Sequence, residues 1–388
     1  MTGVRALHLF GNFKWTGPAD PAIRCARGLR RLGADVLFAQ AAARDGKEHR
    51  LATELRRERM PVTGDLRLPK HFSPFASWHD GRALANRLRR GDFNLLHANL
   101  PSDHVSASLA KRMAGSAVLV RSIHEPDAPK KSLRNRFAFG NTDGVVVPTT
   151  RCAEQMAERF GFGMDCIHVQ EPTTDWGRFD RLDGDLREQW GLSPENIVIG
   201  ITARVQPHRR FEFLWDVARQ VIDESPHARF VLLGRGHPDH LRDLVHAPIE
   251  RHGLSEHVIL PGYLHEPEYS LALKTLDLFV FLVPGSDGTC RAVREALAAG
   301  APVVTTQRGI LPDMLTRRYE GAALEACGLT IEEDVTQMSQ ALTKLIKNPD
   351  ARENLRAAAR ARVTELMDEG KAARRLLAFY ETLRGESK

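Results

Sequence analysis

Short apolar runs alternate with longer segments of helical periodicity along the whole chain. In the first half these runs occupy residues 6–10, 36–39, 94–98, 117–123 and 144–148. In the second half they occupy residues 197–203, 229–234, 257–262, 276–283 and 301–306. Alternating strand and helix patterns are typical of parallel sheets covered by helices on both faces. The pattern therefore predicts an α/β chain with two doubly wound, Rossmann-like units in tandem.

A polar stretch at residues 173–196 separates the two series of apolar runs. The chain has 388 residues, a comfortable length for two such domains. We predict an N-terminal domain of residues 1–175 and a C-terminal domain of residues 176–369. Residues 370–388 form a last helix with one apolar stripe, which packs on its own domain or back on the first. The stripe consists of Ala373, Leu376, Leu377 and Tyr380.

The composition is that of an ordinary globular protein, with 42% hydrophobic and 27% charged residues. Its five cysteines are scattered without a CxxC pair, which argues against a disulfide framework or a zinc site and fits a reducing compartment. The apolar run near the N-terminus is too short for a signal peptide, and no run reaches the roughly 20 residues that span a bilayer. We therefore predict a cytoplasmic protein.

The excess of positive charge lies in the first half of the chain. Residues 1–180 carry 28 Lys and Arg against 19 Asp and Glu, whereas the remainder carries 27 against 30. The basic residues cluster at 56–59, 82–90 and 130–136, with Phe72, Phe75 and Trp78 between the first two clusters. Two interpretations stay open: peripheral docking on the anionic inner face of the cytoplasmic membrane, or solvated arginines around core aromatics. Nucleic acid is disfavoured because no nucleic-acid module is present.

The segment 284–306, PGSDGTCRAVREALAAGAPVVTT, offers the clearest chemistry. An apolar strand feeds a Gly-containing loop and then a helix, which Gly300 and Pro302 terminate. Free N–H groups at the start of such a helix bind a diphosphate. Glu295 lies off the apolar stripe of the helix and can accept hydrogen bonds from ribose hydroxyls, and Asp287 can accept from sugar hydroxyls. The alternative is that Arg291 and Glu295 simply pair, four residues apart, on a solvated surface.

This segment resembles the E-x7-E region of the family 4 retaining glycosyltransferases, written E-G-F-G-x-x-x-x-E-A-x-A-x-G-x-P-V. The match is close from Glu295 to Val303. The first half departs from the family pattern: Asp287, Gly288, Thr289 and Cys290 stand where E-G-F-G is usual. Asp is one methylene shorter than Glu, and Cys290 occupies a backbone position where the family has glycine.

The resemblance continues through the second domain. Residues 203–210, ARVQPHRR, resemble the G-R-x-x-x-x-K-G motif, whose Arg and Lys meet the diphosphate. Arg204 matches the Arg, Arg209 stands where Lys is usual, and Arg210 stands where Gly is usual. Two such cations neutralise charge on a leaving diphosphate, which would make a metal ion unnecessary. The run VLLGRGHPD, which contains Gly234, resembles the family's strand and G-x-G-P loop.

The first domain matches the family more loosely. Gly17 sits where the family has a Gly-rich loop near the donor phosphates or the acceptor. His124 matches a histidine at a strand end that faces the reaction centre, where it can bind the donor sugar or position the acceptor. A satisfied structural histidine is the alternative for His124. For His97, at the end of another apolar run, we predict a structural role.

The resemblance implies the GT-B architecture, in which two Rossmann-like domains face each other across a cleft. It also implies transfer of a hexose-type sugar from a UDP- or GDP-sugar to a glycan or lipid-linked acceptor, with retention and without a metal, in cell-surface glycan or glycolipid synthesis. The catalytic candidates are His124, Asp287, Arg204 and Arg209. The donor-binding candidates are Gly17, Arg204, Arg209, Gly234, Asp287, Gly288, Thr289, Cys290 and Glu295.

Two other functions stay open on the same fold. One is a sugar-nucleotide epimerase, which would act on a free UDP-sugar without an acceptor. The other is a non-catalytic homologue that binds a nucleotide sugar, since the altered Asp287 half of the motif departs from the enzyme pattern. A dehydrogenase is disfavoured because no G-x-G-x-x-G follows the first strand.

Overall fold

A computed structural model describes residues 3–42, 49–115, 117–283, 290–316 and 324–385. The predicted donor-binding residues Asp287, Gly288 and Thr289 therefore lie outside the described residues. The described chain divides into two compact units. The first contains residues 3–173 and 369–385, and the second contains residues 174–283 and 290–368. Each unit is built around one parallel sheet.

The described part of the first unit contains a seven-stranded sheet in the order β3-β2-β1-β4-β5-β6-β7. The strands are β1 (Arg5–Phe10), β2 (Asp35–Gln40), β3 (Val62–Thr63), β4 (Leu95–Ala98), β5 (Val118–Ser122), β6 (Gly144–Val147) and β7 (Ile167–Val169). The helices between them are α1 (Ala19–Arg31), α2 (Arg50–Arg57), α3 (Pro74–Arg89), α4 (Pro101–Ala114), α5 (Leu133–Phe139) and α6 (Thr150–Phe160). A single 3-10 turn, Met164–Cys166, precedes β7.

The central strands are buried on both faces because helices cover both sides of the sheet. Along β1, Ala6 and Phe10 pack in a core with α1, whereas Leu7 and Leu9 pack in a second core with α3 and α4. This alternation explains why residues 6–10 are apolar in the sequence except for His8. The predicted doubly wound arrangement is thus confirmed in this unit.

The described part of the second unit contains a six-stranded parallel sheet in the order β10-β9-β8-β11-β12-β13. Its strands are β8 (Ile197–Thr202), β9 (Ala228–Leu233), β10 (Val258–Gly262), β11 (Leu278–Phe281), β12 (Val303–Thr306) and β13 (Gly328–Ile331). Its helices are α7 (Gly177–Asp180), α8 (Phe211–Glu224), α9 (Pro238–Leu241), α10 (Ala247–Arg251), α11 (Glu268–Thr275), α12 (Arg291–Ala299), α13 (Leu311–Thr316), α14 (Val335–Lys347) and α15 (Pro349–Leu366). Short 3-10 turns occupy Pro207–Arg209 and Ser255–His257, and a π-helical turn, Arg242–His246, joins α9 to α10.

The strand order of the second sheet reverses between β8 and β11. In doubly wound sheets, the carboxyl ends of the strands beside such a reversal form the binding crevice. The loop that follows β8 and the helix α12 that follows β11 carry motifs of the second domain, so the topology brings the described parts of these motifs to one edge of the sheet. Along β11 the side chains again alternate, with Phe279 on one core and Val280 on the other.

The last helix, α16 (Glu369–Leu383), packs on α1 in the first unit. Gly28 of α1 makes the close approach possible, since a Cβ there would lie 2.7 Å from the Cβ of Ala373. Glu369 accepts a hydrogen bond from Arg27 Nε at 2.7 Å at the start of the helix. The apolar stripe of α16 is covered: Ala373, Leu376 and Tyr380 are buried, and Leu377 is partly buried.

Each predicted apolar run forms a strand, but three strands were missed: β3, β7 and β13. All three are short edge strands, and each pairs with a single neighbour. An edge strand of two to four residues carries too few apolar positions for a periodicity to emerge. None of the helices in the described ranges is long and apolar enough to cross a membrane.

Candidate functional site

The helix predicted from the segment 284–306 is α12. It begins at Arg291 and ends at Ala299, and the next residue, Gly300, has the left-handed φ of 86° that is common after a helix C-terminus. Cys290 directly precedes the helix and also has a left-handed backbone, with a φ of 44°. Such a φ favours glycine, which explains why the family has glycine at this position. Cys290 is nevertheless buried and packs against the core beneath the helix.

Glu295 is buried, with only 4% of its surface exposed, and its carboxylate is held by three donors. Oε1 accepts from Arg178 Nη2 at 2.8 Å and from Arg291 Nε at 3.0 Å. Oε2 accepts from the Tyr269 hydroxyl at 3.0 Å. Burial alone would raise the pKa of Glu295, but the positive charges of Arg291 and Arg178 and their hydrogen bonds bring it below its ordinary value. The carboxylate is therefore ionised at neutral pH.

The simple interpretation of Arg291 and Glu295 as a solvated surface pair is wrong in one respect. The pair exists, but only Arg291 is exposed, with 44% of its side chain accessible, and Glu295 is not. The carboxylate is covered because α7 and α11 contribute Arg178 and Tyr269. Burial keeps the phenol of Tyr269 neutral by raising its pKa, and the neighbouring charge of Glu295 raises it further.

Arg178 and Tyr269 are the site residues that the sequence analysis missed. Arg178 lies 117 residues before Glu295 in the chain, and Tyr269 lies 26 residues before it. No local spacing connects these positions, because the contacts depend on how α7 and α11 pack beside α12. A charged residue at the start of a short helix carries no signal of its own.

Arg204 and Arg209 both follow the carboxyl end of β8. Arg204 is exposed, whereas Arg209 is partly buried and donates from Nη1 to the Val283 carbonyl oxygen at 2.7 Å. This bond ties the loop after β8 to the end of β11. Arg210, at the family's second glycine position, has a left-handed φ of 63°, and its Nε lies 2.8 Å from the Glu333 carboxylate. Arg210 is thus engaged in an ion pair.

Gly234 follows β9 and packs directly against the loop after β8. A Cβ at this position would overlap the carbonyl oxygen of Ala203. Two residues on, Val205 and Gly236 form a parallel bridge, and a Cβ at Gly236 would lie 2.7 Å from Val205 Cβ. The two loops therefore run side by side, and glycine is required for their approach.

In the first unit, His124 follows β5 and is partly buried. Burial and, to a smaller extent, the nearby charge of Arg121 lower its pKa to about 3, so the ring is neutral at physiological pH. Nε2 of the ring is buried without a hydrogen-bond partner among the described residues. A satisfied structural histidine would have such a partner. The ring lines a pocket together with Asn99, Ser122 and Gln170.

His97 is fully buried at the end of β4, and both of its ring nitrogens have partners. Nδ1 is hydrogen-bonded to the Tyr380 hydroxyl, and Nε2 lies 2.6 Å from the Ser122 hydroxyl. These contacts match the predicted structural role. Gly17, the remaining predicted residue of the first unit, lies in the loop between β1 and α1.

Among the described residues, His8, Cys25 and His97 place metal-ligating atoms within 4.8 Å of one another. The rings of His8 and His97 stack with centroids 4.5 Å apart. Either ring nitrogen of His97 would have to give up a hydrogen bond to bind a metal ion, and we assign no metal to this cluster.

The aromatic residues between the basic clusters lie on the surface. Phe75 is 82% exposed, Trp78 is 52% exposed and Phe72 is 44% exposed. The interpretation that they belong to the core is therefore wrong. Instead, α3 turns its small residues inward, and a Cβ at Gly81 would lie 2.8 Å from Leu109 Cβ on α4. The close contact between the two helices leaves the aromatic side of α3 uncovered by the first unit's own core.

Basic side chains stack on these exposed rings. The guanidinium carbon of Arg134 lies 5.4 Å from the Phe72 ring centroid, and that of Arg82 lies 5.8 Å from the Trp78 ring centroid. We call this region the aromatic-basic surface. It consists of Phe72, Phe75, Trp78, Arg82, Leu133 and Arg134, in which Leu133 is 84% exposed.

Comparisons with known proteins agree with this architecture. Residues 22–175 match the family model described as Glycosyltransferase Family 4, and residues 183–362 match Glycosyl transferases group 1. A D-inositol 3-phosphate glycosyltransferase of Jonesia denitrificans is 24% identical over 296 residues, covering 74% of this chain and 67% of the relative.

Two solved structures share the fold. A glycosyltransferase from Rickettsia africae superimposes with a TM-score of 0.80 at 15% identity, covering 99% of this chain and all of that one. The Anabaena protein Alr3699/HepE, in complex with UDP, gives a TM-score of 0.75 at 17% identity and covers 98% of this chain and all of that one. With both units matched by glycosyltransferase families, the chain is a glycosyltransferase of the GT-B fold and belongs to the family 4 type.

Proposed function

We propose that this glycosyltransferase moves a hexose-type sugar from a UDP- or GDP-sugar to a glycan or lipid-linked acceptor, with retention at the anomeric carbon and without a metal ion. The observation that carries the proposal is the ionised, buried carboxylate of Glu295 on α12, at the carboxyl edge of the second sheet. An ionised carboxylate at that edge is a suitable hydrogen-bond acceptor for the ribose hydroxyls of a nucleotide.

The donor diphosphate has a suitable environment beside Glu295. The start of α12 offers the positive end of the helix dipole. Arg204 and Arg209 add two cations at the same edge of the sheet. Fixed positive groups of this kind stabilise charge on a leaving diphosphate, which is the reason to propose transfer without a metal ion.

The nucleotide is UDP or GDP in this proposal. The Anabaena structures whose fold the chain shares contain UDP or UDP-glucose, which favours UDP. The protein contributes positioning and electrostatic stabilisation, as expected for a retaining transferase of this family type. Asp287, Gly288 and Thr289 stay proposed donor-sugar contacts on the family resemblance alone.

His124 is proposed as a neutral hydrogen-bonding residue on the acceptor side. Its pKa of about 3 makes it a poor general base in the physiological range, because a weak base takes up few protons at neutral pH. Its unpartnered Nε2 is instead available to a sugar or acceptor hydroxyl.

A ligand screen followed by a transfer assay tests this function. UDP-glucose, GDP-mannose and their free nucleotides are added to the protein, and the melting temperature is measured. A bound donor raises it by mass action, and Glu295→Ala removes the shift. Product analysis by NMR then gives the anomeric configuration, and excess EDTA tests the need for a metal. An unchanged donor shift in Glu295→Ala contradicts the donor-site assignment.

Two outcomes of the same screen favour the other functions. Epimerisation of a free UDP-sugar without an acceptor indicates an epimerase. Donor binding without transfer to any acceptor and without slow hydrolysis indicates a non-catalytic protein.

We also propose that the aromatic-basic surface docks on an anionic membrane, where a lipid-linked acceptor would be presented. Exposed aromatic side chains beside arginines have the composition of an interfacial membrane site. Each cation near an anionic bilayer contributes about 1 kcal/mol, and the rings add apolar contact. Leu133 extends the apolar part of the surface from α3 to α5.

Sedimentation with lipid vesicles tests the docking. The protein is expected to bind vesicles that contain phosphatidylglycerol and not vesicles of phosphatidylcholine alone. Phe75→Ser with Trp78→Ser should weaken binding about tenfold or more. Tyr263→Ser is the matched control, since Tyr263 is also exposed and stacks with Arg235 but lies in the second unit. Equal binding by the control and the double variant would contradict docking through this surface.

A further inference from the structure

The hydrogen bonds of Glu295 leave its carboxylate with little spare capacity. An ionised carboxylate offers about four acceptor positions, two on each oxygen. Oε1 uses both of its positions, for Arg178 and Arg291. Oε2 uses one position, for the Tyr269 hydroxyl. Among the described residues, therefore, one acceptor position has no donor, and it lies on Oε2.

The two arginines that hold Oε1 differ in how firmly they are placed. Arg291 is on the same helix as Glu295, and 44% of its side chain is exposed. Arg178 comes from α7, and only 17% of its side chain is exposed. Its guanidinium lies over the Phe179 ring at 4.7 Å, and Nη1 lies 3.5 Å from Glu266 Oε1. Arg178 is thus restrained on several sides, and it is the residue that fixes the orientation of the carboxylate.

We infer that Arg178 is a positioning residue of the donor site: with Tyr269, it turns the Glu295 carboxylate so that a single acceptor position on Oε2 meets a single ribose hydroxyl. The inference rests on the proposed function, because it takes Glu295 as the ribose-binding residue. It adds a selectivity, since one acceptor position distinguishes the two hydroxyls of the ribose.

Loss of Arg178 has a defined consequence. One acceptor position on Oε1 becomes free, and only the exposed Arg291 and the Tyr269 hydroxyl then hold the carboxylate. The variant carboxylate should bind either hydroxyl loosely, and the preference between the hydroxyls should fall. A residue that only stabilises the fold would lower the melting temperature without changing this preference.

Calorimetric titration of nucleotide analogues tests the inference. The probes are UDP, 2′-deoxy-UDP and 3′-deoxy-UDP, with the corresponding guanine nucleotides in parallel. The wild-type protein should lose about tenfold in affinity for one deoxy analogue and little for the other, as expected for one hydrogen bond to a charged group. In Arg178→Ala the ratio of the two deoxy affinities should approach one, and Arg178→Lys should restore part of it.

Arg181→Ala is the matched control. Arg181 follows α7 directly, is 68% exposed and lies 3.7 Å from Asp175, so its removal should leave the affinity ratio unchanged. Equal losses for both deoxy analogues in the wild type would overturn the single-hydroxyl assignment. An unchanged ratio in Arg178→Ala would overturn the positioning role while leaving the donor site intact. If neither UDP nor GDP binds the wild type, the proposed function itself fails, and the inference fails with it.

Discussion

Glu295 in the second unit and the buried histidines of the first unit solve the problem of buried polar groups in opposite ways. In the second unit, Glu295 stays charged, because Arg178 and Arg291 compensate the cost of burying its carboxylate. In the first unit, the buried histidines stay neutral, because burial lowers the pKa of each: His8, His97, His104 and His124. In the proposed function, Glu295 is a charged hydrogen-bond acceptor for ribose hydroxyls, and His124 is a neutral partner for a sugar or acceptor hydroxyl.

The largest expected effect comes from removing the buried carboxylate of Glu295. Glu295→Ala leaves Arg178 mostly buried without its carboxylate, and breaking a buried pair in this way typically costs about 3 kcal/mol. Urea denaturation measures the loss of unfolding free energy. Asp180→Ala is the control: its pair with Arg360 is half exposed on both sides, and its loss should cost less than about 1 kcal/mol. Equal losses of unfolding free energy in both variants would mean that the buried contacts of Glu295 stabilise the fold no more than an exposed ion pair does.

The buried neutral histidines should instead make the stability of the first unit sensitive to acid. The pKa of His124 is about 3 in the folded state against an ordinary value of 6.5, so the unfolded chain binds more protons between these values. Stability is therefore full above the ordinary value and falls as the pH drops below it. The linkage gives a loss of about 2 kcal/mol between pH 7 and 5 for one such histidine.

His124→Gln tests this pH dependence, because glutamine does not titrate. The variant should lose less unfolding free energy than the wild type between pH 7 and 5. The lowered pKa of Glu295 has the same sign but acts at lower pH: its contribution is present above its ordinary value of 4.5 and is lost only as the pH falls below that value. Hydrogen exchange should accordingly show the first unit opening before the second on mild acidification. Simultaneous opening of both units would contradict the contrast.

The close contact between the loops that follow β8 and β9 helps to shape the carboxyl edge of the second sheet. Gly234→Ala places a Cβ against the Ala203 carbonyl, so the backbone must move, and we expect a loss of about 2 kcal/mol together with weaker donor binding. Gly64→Ala is the control, since a Cβ there has no atom within 4 Å. Thermal unfolding and nucleotide titration measure both effects. If Gly234→Ala keeps the affinity for the donor, the loop after β9 does not contribute to the donor site.

The smallest expected effect isolates backbone strain. Arg210 has a φ of 63°, where glycine is favoured. Arg210→Gly and Arg210→Ala both remove the ion pair with Glu333, but only the alanine variant keeps the strain. The glycine variant should be more stable than the alanine variant by about 1 kcal/mol. Equal stability would show that the loop relaxes away from this conformation.

Much of the fold could be predicted because its cause is local. Strands such as β8 and β11 are buried on both faces, so their apolar runs are visible without knowledge of their neighbours. The end of α12 was predicted from Gly300 and Pro302 for the same reason. The short strands β3, β7 and β13 were missed because their position at a sheet edge, and not their composition, makes them strands.

The candidate site was predicted in part. Glu295, Arg209 and Gly234 do lie at one edge of the second sheet, as their motifs indicated. The surface exposure of Phe75 and Trp78 was left open, because helical periodicity cannot tell an aromatic face that is buried from one that is not. The packing of small residues such as Gly81 against α4 decides it.

The sequence by itself determined the two-unit α/β architecture, the helix that carries Glu295 and the family type, because periodicity, helix-terminating residues and motif spacing are local properties of the chain. Only the tertiary structure decided which groups hold the Glu295 carboxylate. Arg178 and Tyr269 reach it from distant parts of the chain through the packing of three helices. Contacts of this kind arise from burial and three-dimensional proximity, which no local pattern records.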